Sequence, residues 1–444
     1  MKTMKKLIYT LTAIFTFSGC DLLDQELPNT IPTDEAIVDR VSAEAAVVGL
    51  YNEMQDGSLY GSDAVYATEL MAKNMKAVKF QAVWQELGSG IVPSANFHVE
   101  DSWIAWYSIV NNANNIIVKV PELNDVSESE EAEFTGTAHF SRALAHFELL
   151  RQWGEYWDNT SEYGIPLPTE VATAPIVTPR SNVADAYALI ESDLFKAIDR
   201  LPASGDPIFA NKGAAEALMA RVKLYKGEYD SAFYYANDVI ENFDYDLQDD
   251  YVDIFSEGTS ESIFEVDFTQ QDFSNYTFLM FGTEAEIVMT DEAAEMYQSN
   301  DERGLLIENI GNFFRCTKYG TNQDNGEGNA FVIRLAEMYL IRAEAASRNN
   351  GPTTGLPDIN VLRARAGLGP IDASSVNSLQ DFNDVLTREA RLEFPAEGVY
   401  WYYLSRLDKL GEVLNREAFR RIYPIPLREL NITDDQAIFQ NPGY

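Results

Sequence analysis

Seventy acidic side chains, three histidines and two cysteines are what this 444-residue chain offers to chemistry. His98, His139 and His146 are joined by no cysteine pair and no HExxH arrangement, which argues against a zinc site. His139 and His146 stand seven apart, two turns along one helix face and farther than one metal ion spans, so packing or solvation suits both. Neither a GxSxG elbow nor a GxxxxGK phosphate cradle occurs. Glycoside hydrolysis needs two carboxylates at a defined gap with one pKa raised, and so many acids supply chance pairs without marking one. The acidic run from Asp244 to Asp253 lacks the central Gly and terminal Glu of an EF-hand loop and reads as a solvated helix–loop junction. The expectation is a non-enzyme with no catalytic residue, no metal and no cofactor.

Charge removes further classes. A net charge of −37 opposes nucleic-acid binding, which needs clustered Lys and Arg on phosphates, and opposes broad attraction to acidic lipid. With 46% hydrophobic residues, a chain of this length buries a large core without disulfides. Lys2, Lys5 and Lys6 precede an apolar stretch from Leu7 to Phe17, too short for about 30 Å of hydrocarbon but suited to a secretion signal. Ser18-Gly19-Cys20 resembles a bacterial lipobox, with Phe17 where Leu is usual; the alternative is an ordinary signal peptide with an incidental cysteine. The resemblance implies cleavage of residues 1–19, which takes the charge to −40, and acylation of Cys20, which holds the chain on a membrane surface without spanning it. Only Cys316 then remains, so no intramolecular disulfide forms. Residues 20–37, with Pro28 and Pro32, read as an acidic tether.

From Val38 to Tyr444 the signal is amphipathic helix. Phe140, Ala143, Leu144, Phe147 and Leu150 recur at helical spacing, as do Ala232, Ala236, Val239, Ile240 and Phe243, and Val332, Leu335, Ala336, Tyr339, Ala343 and Ala346. Phe264, Val266 and Phe268 mark one short strand. Residues 213–242 read as helix, a turn at Gly227, then helix, with Ala220 and Ala232 twelve apart to let the pair approach closely, as in tetratricopeptide repeats. Helices at 137–154 and 331–348 look like first members of similar, degenerate units, the kind of repeat that usually serves as a scaffold. Residues 154–182, with four prolines, and 269–330 are loop-rich.

Four blocks carry a resemblance to the SusD/RagB family of nutrient-uptake lipoproteins. They are AHFSRALAHFELLRQWG at 138–154, the helix pair at 213–242, FVIRLAEMYLIRAEAA at 331–346 with NVLRARAGL at 360–368, and REARLEFPAEG at 388–398 with Trp401, Leu404 and Arg406. YPIPLREL at 423–430 and QNPGY at 440–444 close the last block. Pro395, Val399-Tyr400 and Tyr403 depart from the usual pattern. The resemblance implies a mainly α fold on tetratricopeptide-like helix pairs with long irregular loops and a few short strands. It also implies capture of a polysaccharide or oligosaccharide, less often a peptide, at the exterior of the outer membrane, and delivery to a TonB-dependent SusC-like transporter. A helical-repeat adaptor without a small ligand is a further alternative. Arg334, Glu337, Arg342, Glu344, Arg388, Glu389, Arg391 and Glu393 read as structural ion pairs, and Trp103, Trp106, Trp153 and Trp401 as core.

Sugars present C–H faces to flat rings and hydroxyls to amides and charged groups, so ligand-binding rings are sought on loops. Trp84, with Phe80 nearby, comes first; Tyr276, Phe278, Phe313, Phe314 and Tyr319 follow, and Trp157 is weaker. Lys76 and Arg315 sit in two stretches, 73–97 and 303–319, that each carry a local charge of +2. These stretches suit a carboxylated or sulfated glycan, or else their bases balance nearby acids.

Overall fold

The computed structural model describes residues 36–172, 177–256, 258–269, 271–276, 279–280, 285–319, 328–433 and 437–444. The leader, Cys20, nearly all of the tether and Phe278 lie outside them. Fifteen α-helices run through the described residues, as a mainly α fold requires. In the first half these are α1 (Arg40–Met54), α2 (Asp63–Met71), α3 (Ala82–Ser89), α4 (Phe97–Lys119), α5 (Glu128–Trp153), α6 (Val183–Arg200), α7 (Lys212–Lys226) and α8 (Tyr229–Asn242). The second half holds α9 (Asp291–Ala294), α10 (Leu335–Asn350), α11 (Leu356–Arg365), α12 (Leu379–Glu393), α13 (Tyr400–Arg406), α14 (Leu410–Leu414) and α15 (Leu427–Ile432).

Local chemistry sets the boundaries. Ser127 caps α5 while the Glu130 carboxylate accepts from the Ser127 amide, and Ser378 with Asp381 does the same for α12. Gly227 takes φ +81 between α7 and α8, a left-handed turn that a side chain would strain. Ala220 and Ala232 are fully buried, as the close approach of that pair demands. Helix packs on helix from α4 through α5, α6, α7 and α8 to α10, with α11 and α12 beyond, so the repeat-like units form one stack.

At the centre, α5 is buried on every side from Phe134 to Leu150, beyond the single apolar stripe its sequence displays. Two of its polar residues share one partner: Asp193 of α6 receives Arg142 at 2.7 and 2.8 Å and His139 Nδ1 at 2.8 Å. His146 is buried with neither ring nitrogen partnered, and burial first of all depresses its pKa from 6.5 to about 3.

Six short strands lie among the described residues, more than the one expected. β1 (Met75–Ala77), β3 (Ile287–Met289), β5 (Phe314–Cys316) and β4 (Ile307–Asn309) form a sheet in that order, all antiparallel. β2 (Ser262–Val266) pairs with β6 (Ala330–Arg334), so residues 331–334, read from sequence as helix, are strand. Both strands of this second pair are wholly buried, and contact from both sides overrides the helical periodicity of Val332 and Leu335.

Arg334, at the end of β6, meets Glu261, Glu393 and Glu397 at 2.9, 2.7 and 2.8 Å. Arg365 bridges Glu261 and Glu393, and Lys318 pairs with Glu397. Burial alone would raise Glu393, but Arg365, Arg334 and Arg303 hold it at about 2. The Arg334, Glu337, Arg342, Glu344, Glu389, Arg391 and Glu393 side chains all form ion pairs; Arg388 is exposed.

Two outcomes are expected. Arg334→Met leaves three acids around one empty charge position and lowers stability by about 3–5 kcal/mol in urea unfolding; a loss below about 1 kcal/mol refutes the hub. For His146 the native pKa lies below the unfolded one, so between pH 6.5 and about 3 the unfolded chain binds the extra proton and stability falls with acidification. His146→Leu therefore loses less stability than the parent between pH 7 and pH 4.5, and equal losses contradict the account.

Candidate ligand-binding face

The four-stranded sheet gathers the two sequence stretches thought to hold ligand. Met75 faces Met289, and Met289 faces Phe314, so these three share the face that packs on the core. Strand alternation turns the next residues the other way: Lys76 stands opposite Val288, and Arg315 opposite Glu308. Two bases more than two hundred residues apart thus lie on the other face of the sheet, with the buried Val288 between them. Val78 extends the edge by donating to the Glu286 carbonyl at 2.8 Å, and Phe80 follows immediately, 84% exposed. Phe313 is half-buried at the β4–β5 turn, where the Ile310 amide donates to its carbonyl and Gly311 takes φ +94.

The remaining predicted rings are placed differently. Trp84 is not on a loop: it lies in α3, 4% exposed, with its ring edge-on to Tyr66 at 5.9 Å. Tyr276 and Tyr319 stack on each other at 4.5 Å and 10°, both buried. Their hydroxyls donate to the carbonyls of Tyr60 and Ala396, so ring faces and polar tips are already occupied within the core. Trp157 is partly exposed with the Arg421 guanidinium 5.0 Å from its ring. Trp103, Trp106, Trp153 and Trp401 are buried.

The bases of both stretches are also met by acids, some distant in sequence and some near. Lys76 pairs with Asp291 at 3.0 Å, Lys79 with Glu286 at 3.1 Å and Arg315 with Glu308 at 2.6 Å. Arg303 and Lys318 are buried on Asp301 and Glu397. The bases of the two stretches are thus paired with acids that the fold brings beside them. Sequence reading missed Glu286 and Asp291 because the partnership depends on β1–β3 pairing across more than two hundred residues.

Among the described residues Phe80 is a bare aromatic ring at the edge of this sheet, near ion pairs whose mutual attraction is weak and open to hydroxyl competitors. Burial pushes Glu69 up to about 7, but its carboxylate accepts from the Gly398 amide at 2.9 Å and is 1% exposed. Among the described residues no group of three His, Cys, Asp or Glu side chains converges, and no helix is long and apolar enough to cross a membrane.

Comparison with known proteins follows the same outline. The model of the SusD family matches residues 259–418, and a second family model, described as starch-binding associating with outer membrane, matches residues 21–224. A SusD-like protein of Formosa agariphila is 23% identical over 521 aligned positions that take in all of both chains. A putative sugar binding protein from Bacteroides vulgatus superposes with a TM-score of 0.81 at 24% identity, over 92% of this chain and 99% of that one. A laminarin binding SusD-like protein superposes with a TM-score of 0.76 at 22% identity, over 92% of this chain and 100% of that one. Helix stack, strand pairs and family matches agree, and the chain belongs to the SusD/RagB family.

Proposed function

We propose that the chain captures a polysaccharide or oligosaccharide at the outer face of the outer membrane and hands it to a TonB-dependent SusC-like transporter. Phe80 carries the reading. A phenyl ring left 84% in water forgoes the burial that a ring normally gains, and a sugar's C–H face restores it. The Lys76–Asp291 and Lys79–Glu286 pairs beside it supply donors and acceptors for hydroxyls. The outer-membrane description of the matched family supports the location. Acylation of Cys20 holds the chain there, and binding without bond cleavage is its whole task. Since the bases near Phe80 are neutralised, the ligand is an uncharged glycan, and the laminarin bound by one structural neighbour names a first candidate.

Affinity electrophoresis in laminarin and in alginate gels tests this. Retardation is expected in laminarin and not in alginate, with Phe80→Ala binding roughly three- to tenfold more weakly. The same variant keeps its stability within about 0.5 kcal/mol, because the ring packs on little. Trp84→Ala, by contrast, removes a core ring and costs about 3–5 kcal/mol, so any binding it loses is lost with the fold. Full binding by a stable Phe80→Ala protein removes the platform.

A further inference from the structure

Away from that sheet, α5, α7, α10 and α13 meet around a cavity of about 40 Å³, with Tyr60 and Gly398 also on its wall. That exceeds the roughly 10–15 Å³ one water needs, yet falls far short of the roughly 300 Å³ of an organic-ligand pocket. Only small species fit. The wall is charged, because Arg151, Arg221 and Arg406 line it, each gripped by a carboxylate. Arg151 donates through Nε and Nη2 to Glu148 at 2.8 and 2.5 Å, and Arg221 does so to Glu337 at 2.6 and 2.5 Å. Arg406 donates through Nη1 and Nη2 to Glu344, both at 2.6 Å. These three side chains are 12%, 4% and 8% exposed, so water screens their charges little.

Unused donors collect on this wall. Nη1 of Arg151, Nη1 of Arg221 and Nε of Arg406 have no hydrogen-bond partner among the described residues. The Tyr403 hydroxyl is buried with no partner, and those of Tyr225 and Tyr402 form no hydrogen bond among the described residues either. Burial raises the pKa of all three phenols, so they keep their protons and stay donors. The acceptors are busier: Glu148 also takes Tyr60 at 3.4 Å and Gln152 at 3.1 Å. Charge points the same way. Arg348 shares Glu344 with Arg406, so four bases meet the three acids Glu148, Glu337 and Glu344. Glu397 lines the cavity too, but it belongs to the Arg334 cluster, where five bases already meet five acids. One positive charge is left over beside free N–H and O–H groups. Water would meet the donors but not the charge, a cation would be repelled, and a divalent anion would overshoot the balance.

We propose that this cavity is an internal site for one small monovalent anion of halide size, held by the free N–H groups of Arg151, Arg221 and Arg406 and the hydroxyls of Tyr402 and Tyr403. Bound there, the anion ties α5, α7 and α13 together and adds to stability by mass action. The site is separate from the Phe80 face and does not rest on the glycan reading. Thermal unfolding of the full-length protein, with sodium chloride replacing sodium gluconate at constant ionic strength, tests it, because gluconate is too large to enter. The midpoint is expected to rise with chloride and then level off. A crystal soaked in sodium bromide is expected to show a bromine anomalous peak in the cavity. Tyr402→Phe combined with Tyr403→Phe keeps both rings and should raise the half-saturating chloride roughly tenfold or more. The parent crystal carries the test even if that variant melts early. A cavity with no anomalous signal, a midpoint indifferent to chloride, or a double variant with the full chloride response overturns the proposal.

Discussion

A guanidinium sealed from water must be neutralised on the spot, and Arg334 shows what that demands of a fold. Its partners come from three separate places: Glu261 ahead of β2, Glu393 at the end of α12, and Glu397 in the following turn. Arg365 of α11 and Lys318 after β5 complete the charge balance. None of these segments can shift without exposing a bare buried charge, which costs several kcal/mol. The cluster therefore fixes how the α10–α12 helices sit against the β2–β6 pair. It contributes specificity of arrangement more than net stability, since an apolar cluster of equal volume would serve stability as well.

That rigidity reaches the binding face by a short route. Glu397 stands next to Gly398, whose φ of +72 and crowding by Thr68 and Ala64 leave no room for a side chain. The Gly398 amide seats Glu69 of α2, and α2 leads directly into β1, the strand that carries Lys76. From the other side, Lys318 ties the end of β5 to the same turn, and Tyr319 anchors on Ala396. Both sequence stretches that supply the sheet are thus pinned to one buried cluster, while Phe80, three residues past β1, is left in water.

Much of this was legible in the residues alone. The α7–α8 pair, its turn at Gly227 and the ion-pairing role of Arg334, Glu344 and Glu393 all follow from local spacing and from charges set in apolar runs. What resisted reading depends on contacts distant in sequence. Trp84 looked loop-borne because α3 has eight residues, too few for its Trp84 and Leu87 stripe to stand out from a Gly- and Ser-rich flank. Tyr276 and Tyr319 have no local pattern; they find each other across more than forty residues and stack inside. The strands of the sheet are three residues long, below the length at which alternation can be seen.

The charge of the chain has a structural corollary. Bases number 33 against 70 acids, and many of those bases are spent inside, on Asp193, Glu337, Glu344, Glu393 and Glu397. Pairing cannot remove the excess, so 37 acids of the full sequence have no base to offset them. Any acidic polymer approaching the Phe80 face must cross that field, and the ion-paired lysines there offer no net relief within a Debye length of about 8 Å. A neutral polymer feels no such barrier.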